Sequence, residues 1–175
     1  YSAVPGKDSV RATCAQFVNQ AFGMKDRFAR EHVIVTAGGI QACHLTLGLV
    51  IEEPADVVIA TLPAYPLYQL ETAYFDGTFA PVEASEGSAA IEPEVLSSAF
   101  AMHRRQGRQI RAIVLCSPNN PSGAVMSLSE ARAVAGVLEA EMALEPEGSR
   151  GFLVLLDEVY IGIEQGGHKS LLQVA

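Results

Sequence analysis

Residues 110–123 read IRAIVLCSPNNPSG, and residues 152–160 read FLVLLDEVY. In each stretch, an apolar run of strand length passes directly into polar residues. Ligands of open α/β sheets bind at the carboxyl ends of the strands, so we expect Asn120, Asp157 and Tyr160 to lie at one edge of one sheet. An amide, a carboxylate and a phenol at that edge suit a planar, anionic aromatic ligand that contains nitrogen.

The rest of the chain alternates between strand-like and helix-like segments. The hydrophobic spacing predicts strands at residues 33–36, 57–61, 78–82, 110–116 and 152–156. It predicts helices at residues 10–22, 41–50, 68–75, 93–106 and 127–144, the last of them opened by a capping box at Ser127 and Glu130. Strands separated by helices predict an α/β fold, with three αβα layers built on a mostly parallel sheet.

Composition narrows the class of protein. The 175 residues are 49% hydrophobic and carry a net charge of −8, which predicts one domain with a core. The acidity argues against a nucleic-acid partner, because such binding needs a basic surface. No apolar run approaches the roughly 18 residues of a membrane span, and the first residues do not read as a targeting segment. We therefore expect no membrane partner and a cytoplasmic location, with an organelle as the alternative.

Cysteine and histidine spacing predicts no metal site. The three cysteines, at positions 14, 43 and 116, are far apart, and the four histidines fall in separate segments. Zinc sites and disulfide scaffolds use closer or paired spacings, so reduced thiols are expected.

A glycine pair follows the strand predicted at residues 33–36, where residues 36–42 read TAGGIQA. Two glycines allow close backbone approach to a ligand, and the amides of a helix start favour a phosphate. A plain tight turn is the alternative.

These motifs together resemble the signature of the class I/II aminotransferases, which are pyridoxal-phosphate-dependent enzymes of fold type I. The resemblance extends over nearly the whole chain and implies pyridoxal 5'-phosphate as the cofactor. The backbone amides of Gly39 and Ile40 would then hold the cofactor phosphate. The residues that the resemblance assigns to cofactor binding are Tyr1, Gly38, Gly39, Ile40, Tyr65, Asn120, Asp157 and Tyr160.

The resemblance also implies a role for each side chain. Asp157 would pair with the protonated ring nitrogen and Tyr160 would act with it in catalysis; a helix N-cap is the alternative for Asp157. Asn120 and Tyr160 would both donate to the phenolic oxygen of the cofactor. Tyr65 would stack on the pyridine ring, whereas Tyr68 is expected only to pack its helix onto the sheet.

The family pattern implies a homodimer with shared active sites. Residues 1–6 and Arg11 resemble the entry to the large domain, where a tyrosine matching Tyr1 reaches the phosphate of the neighbouring subunit. A disordered first residue is the alternative for Tyr1. The expected substrates are an amino acid and a 2-oxo acid.

The lysine that forms the Schiff base in this family is not expected within the chain. Lys169 is the only lysine after Asp157, and it follows too soon, in a glycine-rich loop. We therefore expect residues 1–175 to be a partial cofactor-binding (large) domain, without the small domain and the strand that carries the catalytic lysine, and inactive by itself.

Three functions remain open at this stage. The first is a pyridoxal-phosphate-dependent aminotransferase. The second is a lyase of the same fold type, acting on carbon–sulfur bonds or resembling aminocyclopropane-carboxylate synthase. The third is a non-catalytic domain that keeps the aminotransferase fold for ligand sensing.

Overall fold

The computed structural model describes residues 4–163 and 169–174. The chain divides into two compact units, one that extends to Ala42 and one that begins at Cys43. In the first unit, helix α1 (Asp8–Ala21) and a single 3-10 turn (Arg30–His32) precede helix α2 (Gly38–Val50). Both helices were predicted, and each begins two or three residues before the expected position.

The prediction of a strand at residues 33–36 is wrong. The segment is extended, but in the described part of its unit it pairs with no strand. The amide of Val35 donates instead to the carbonyl of Pro5 at 2.9 Å. Ile34 is 69% exposed. Four apolar residues fit either a strand or an extended loop, and the pattern by itself does not separate the two.

The second unit contains a parallel sheet of four strands. These are β1 (Asp56–Leu62), β2 (Thr78–Glu83), β3 (Gln109–Cys116) and β4 (Leu153–Asp157), in the spatial order β2-β1-β3-β4. Three helices connect them: α3 (Leu67–Tyr74), α4 (Pro93–Arg105) and α5 (Leu128–Ala143). All pairings are parallel, which confirms the predicted α/β class.

Alternate side chains of the strands build two cores. Val57 and Ile59 of β1 belong to the cluster formed with α4 and α5, while Val58 and Ala60 belong to the cluster formed with Tyr68 of α3 and the part of α2 that lies in this unit. Because successive strand residues point to opposite faces, a sheet with helices on both faces needs apolar residues at every position. The predicted three αβα layers are confirmed.

The start of α5 was predicted from its capping box. The Ser127 hydroxyl accepts from the amide of Glu130 at 3.3 Å, and the Glu130 carboxylate accepts from the amide of Ser127 at 2.7 Å. These two bonds satisfy amides that an uncapped helix start would leave without partners.

A buried ion cluster closes the end of the sheet where β1 begins. Asp56 is fully buried, and its Oδ1 lies 3.0 Å from Arg150 Nη2 and 3.7 Å from Arg111 Nε. Its Oδ2 accepts from the amide of Glu52 at 2.8 Å. Arg111 is also buried and donates to two backbone carbonyls. Every charge in this cluster has a partner, as burial of charge requires.

We expect Asp56→Asn to destabilise the protein by about 3 kcal/mol, because it leaves the buried Arg111 without its counter-charge. The matched control is Glu52→Gln, which removes an exposed partner of Arg150 and should cost less than about 1 kcal/mol. Urea unfolding of both variants measures the difference. Equal losses would show that Asp56 does not neutralise the cluster.

The environment of His103 in α4 should make the stability of the protein depend on pH. Its side chain is buried, and neither ring nitrogen has a hydrogen-bond partner among the described residues. Burial, and then Arg108, lower the pKa of His103 from its ordinary value of 6.5. Below that value the unfolded chain takes up a proton that the folded protein does not, so stability falls as pH falls.

We expect His103→Leu to weaken this dependence. The urea midpoint of the wild type should drop between pH ~7.5 and pH ~5.5 by more than that of the variant, because the variant has no proton to gain at this site. Parallel slopes for the two proteins would contradict the assignment to His103.

Candidate functional site

The carboxyl ends of β3 and β4 lie side by side. Cys116 and Asp157 are register partners, and the amide of Ser117 donates to the carbonyl of Asp157 at 3.2 Å. The loop after β3 and the turns after β4 therefore start from neighbouring points. This is the sheet edge at which the sequence predicted a ligand.

The loop after β3 is held in shape by Asn119, which the sequence analysis did not single out. Asn119 is 6% exposed. Its Oδ1 accepts from the amide and the hydroxyl of Ser122 at 3.1 and 2.7 Å, and its Nδ2 donates to the carbonyl of Pro63 at 3.2 Å. Asparagine side chains often bond the backbone of the turn that they open, and Asn119 stands three residues before Ser122 at the opening of a turn rich in proline and glycine.

Asn120 projects from the same loop and meets Tyr160. Its Nδ2 donates to the Tyr160 hydroxyl oxygen at 3.2 Å. Both side chains line a cavity of about 380 Å³, whose other lining residues include Val125 and Ile163. The phenol keeps its own O–H for donation, and the amide keeps a second N–H. The structure thus brings together the two donors that the sequence predicted.

Asp157 ends β4 on the same sheet edge, and its side chain is half-buried. Its Oδ2 accepts from the Tyr68 hydroxyl at 2.6 Å, and its Oδ1 accepts from the amide of Val159 at 3.4 Å. Residues 159–163 form turns, so Asp157 is not the N-cap of a helix there. No ion pair involves Asp157 among the described residues, and the residue does not line the cavity beside Asn120.

Tyr68 does more than pack α3 onto the sheet, which is the role that the sequence predicted for it. Its side chain is 1% exposed, and burial, followed by the bond to Asp157, raises the pKa of its phenol. Burial also raises the pKa of the Cys116 thiol, and it raises that of Cys43 to about 11. The groups packed beside the carboxylate are therefore neutral at physiological pH.

Tyr65 packs at the same end of the second unit. It is half-buried, and its ring lies 6.3 Å from that of Tyr68 at an interplanar angle of 80°. This edge-to-face geometry is a favourable arrangement for two aromatic rings. Tyr65 therefore joins Tyr68 and Asp157 in one group of side chains.

The glycine pair lies in the first unit, at the start of α2. Gly38 has a φ of +82°, a value that favours glycine, and an added Cβ would meet no atom within 4 Å. The Gln41 side chain accepts from the amide of Ala37 at 2.6 Å. The first amides of α2, including those of Gly39 and Ile40, have no partner within the helix and suit an anion.

Two predictions concern residues near the chain ends. Tyr1 lies outside the described residues, so its role stays a prediction. Lys169 is exposed, as expected for a loop lysine.

The described residues contain neither a candidate metal site nor a candidate membrane-spanning helix. Residues 4–163 and 169–174 hold no group of three metal-ligating side chains, and no helix in these ranges is long and apolar enough to span a membrane.

A family model described as aminotransferase class I and II matches residues 1–175, so the chain belongs to this family. The similarity to the solved structure of aspartate aminotransferase from Thermus thermophilus with maleate has a TM-score of 0.81 at 27% identity. It covers 100% of this chain and 42% of that one. The fold is therefore that of the fold-type-I aminotransferases.

Two curated relatives are also similar. A putative alanine aminotransferase of Schizosaccharomyces pombe is 29% identical over 163 residues, which are 91% of this chain and 31% of that protein. The 1-aminocyclopropane-1-carboxylate synthase 7 of Arabidopsis thaliana is 29% identical over 123 residues, covering 69% of this chain and 27% of that protein. The chain thus spans about a third of the length of these relatives.

The neighbours Asn119 and Asn120 should respond differently to the same substitution. We expect Asn119→Ala to destabilise the protein by about 1–3 kcal/mol, because buried loop groups lose their partners. Asn120→Ala should change stability by less than about 0.5 kcal/mol, since the hydrogen bond that its side-chain amide makes within the described residues goes to the Tyr160 hydroxyl and not to the backbone. Urea unfolding of the two variants tests this, and a larger loss for Asn120→Ala would contradict it.

Proposed function

We propose that the complete protein is a cytoplasmic aminotransferase that uses pyridoxal 5'-phosphate to transfer an amino group between an amino acid and a 2-oxo acid. This chain would be part of its cofactor-binding large domain, and the small domain and the strand with the Schiff-base lysine would lie elsewhere in the protein. The observation that carries the proposal is the placement of Asn120, Tyr160 and Asp157 at the adjoining ends of β3 and β4.

The donor set fits this cofactor. Asp157 is a carboxylate with a phenol and an amide as neighbours and no cation among the described residues. A half-buried carboxylate is stabilised by a cationic partner, which a protonated pyridine nitrogen supplies. Asn120 and Tyr160 would donate to the phenolic oxygen, and Tyr65 would stack on the ring. When bound, the cofactor withdraws electrons from the substrate's α-carbon and so stabilises negative charge there.

The phosphate would be held in the first unit. The amides of Gly39 and Ile40 at the start of α2 are donors that the helix does not use, and the helix dipole adds to their attraction for an anion. Gly38 provides the positive φ at which the chain enters the helix. This part of the proposal depends on the helix start alone.

A second candidate is a lyase of the same fold type. The similarity to an aminocyclopropane-carboxylate synthase over 69% of this chain supports it. Product analysis on the complete protein separates the two. An aminotransferase releases a 2-oxo acid and passes the amino group to an acceptor, whereas a lyase eliminates a leaving group from the substrate.

The proposed partner is a second copy of the protein, in a homodimer with shared active sites. The outer face of α2 carries Leu45 and Leu49, which are 47% and 79% exposed, and Leu70 of α3 is 65% exposed. The two helices are neighbours, because His44 of α2 lies 2.6 Å from Glu71 of α3. Large exposed apolar side chains that lie close together favour a surface that another molecule covers. Sedimentation of the complete protein measures this directly.

We expect Asp157→Asn to lower kcat of the complete protein by about three orders of magnitude, or about 4 kcal/mol of barrier, because the ring nitrogen loses its counter-charge. The neighbouring Glu158→Gln serves as the control and should stay within about threefold of the wild type. An Asp157→Asn variant that also stays within threefold would refute the assignment of Asp157 to the ring nitrogen.

A further inference from the structure

We propose that Tyr68 is a positioning residue for Asp157, whose carboxylate it orients toward the ring nitrogen of the cofactor. This inference rests on the proposed function, because it assumes that Asp157 meets that nitrogen. The sequence predicted only a packing role for Tyr68, so the contact between the two side chains is a finding of the structure.

The contact joins two elements that are remote in sequence. Tyr68 lies in the first turn of α3, and Asp157 is the last residue of β4. The hydroxyl and Oδ2 are 2.6 Å apart, which is shorter than most bonds between neutral oxygen groups and typical of an O–H···O⁻ bond to a charged acceptor. The tyrosine side chain is 1% exposed, so its ring is fixed by the surrounding core and cannot follow a moving carboxylate.

The proton in this bond belongs to Tyr68. Burial, and then the bond itself, raise the pKa of the phenol, so Tyr68 stays protonated and donates at physiological pH. Asp157 Oδ2 is therefore the acceptor. Burial also raises the pKa of Cys116, whose thiol lies within hydrogen-bonding reach of the same hydroxyl, so this thiol adds no competing negative charge.

The two bonds to Asp157 together fix its rotamer. Oδ2 is held by Tyr68 from the α3 side, and Oδ1 is within 3.4 Å of the amide of Val159 in the following turn. Of the two, the bond from the buried tyrosine is shorter and comes from a rigid helix. Loss of the Tyr68 hydroxyl should leave the carboxylate held only by the longer bond from the Val159 amide, while the ring still fills the core.

The test uses the complete protein loaded with pyridoxal phosphate that carries ¹⁵N at the ring nitrogen. The ¹⁵N chemical shift separates a protonated ring nitrogen from a neutral one and does not depend on turnover. We expect a protonated signal in the wild type, a neutral signal in Asp157→Asn, and a partial shift toward neutral in Tyr68→Phe. The kcat of Tyr68→Phe should fall by about tenfold. The control Tyr74→Phe removes an exposed hydroxyl from the same helix and should change neither value.

The outcomes separate the two claims. If Asp157→Asn keeps the protonated signal, the proposed function fails. If Asp157→Asn shifts the signal but Tyr68→Phe matches the wild type, the role of Tyr68 is refuted while the function stands. A second measurement keeps the test valid if Tyr68→Phe fails to fold. In the protein that retains Tyr68, Asp157→Asn should move the ¹³Cζ resonance of Tyr68. An unchanged resonance would also refute the bond.

Discussion

The parallel pairing of β3 with β4 is the constraint on which the site depends. It sets Cys116 opposite Asp157, so two chain segments that are far apart in sequence leave the sheet at neighbouring points. Asn120 in the loop after β3 and Tyr160 in the turns after β4 can meet because of that register. A shift of one residue would turn the Asp157 side chain to the opposite face, away from Tyr68 and toward the core formed with α4 and α5.

The two ends of the sheet treat a carboxylate in opposite ways. Asp56 is fully buried, and two arginines and backbone amides satisfy it within the protein. Asp157 is half-buried and has only a phenol and an amide, with no ion pair among the described residues. A carboxylate with neutral partners keeps its capacity to bind a cation. The Asp56 end therefore serves stability, and the Asp157 end has the charge that a cationic ligand requires.

Much of the second unit could be predicted from the sequence, because its signals are local. Apolar runs located all four strands, and the capping box at Ser127 located α5. The segment at residues 33–36 failed because a short apolar run does not specify a strand partner. The contact of Tyr68 with Asp157 could not be predicted from the sequence either. The function of this tyrosine depends on Asp157, which is distant in sequence, and no local pattern encodes a hydrogen bond between α3 and β4.

The adjacent residues Asn119 and Asn120 of the loop after β3 have different roles, one in holding the loop and one in contacting the proposed ligand. Asn119 uses its side-chain amide within the loop, where it bonds to Ser122 and to the carbonyl of Pro63 and so fixes the shape of the loop. Asn120 bonds to Tyr160 and lines the cavity. A side chain whose donors are used to satisfy buried backbone groups cannot offer the same donors to a ligand. A side chain that binds a ligand also needs a rigid loop to hold it in the correct orientation. Two asparagines in sequence meet both needs, and the same relation holds between Tyr68, which is buried and immobile, and Asp157, which it holds at the edge of the sheet.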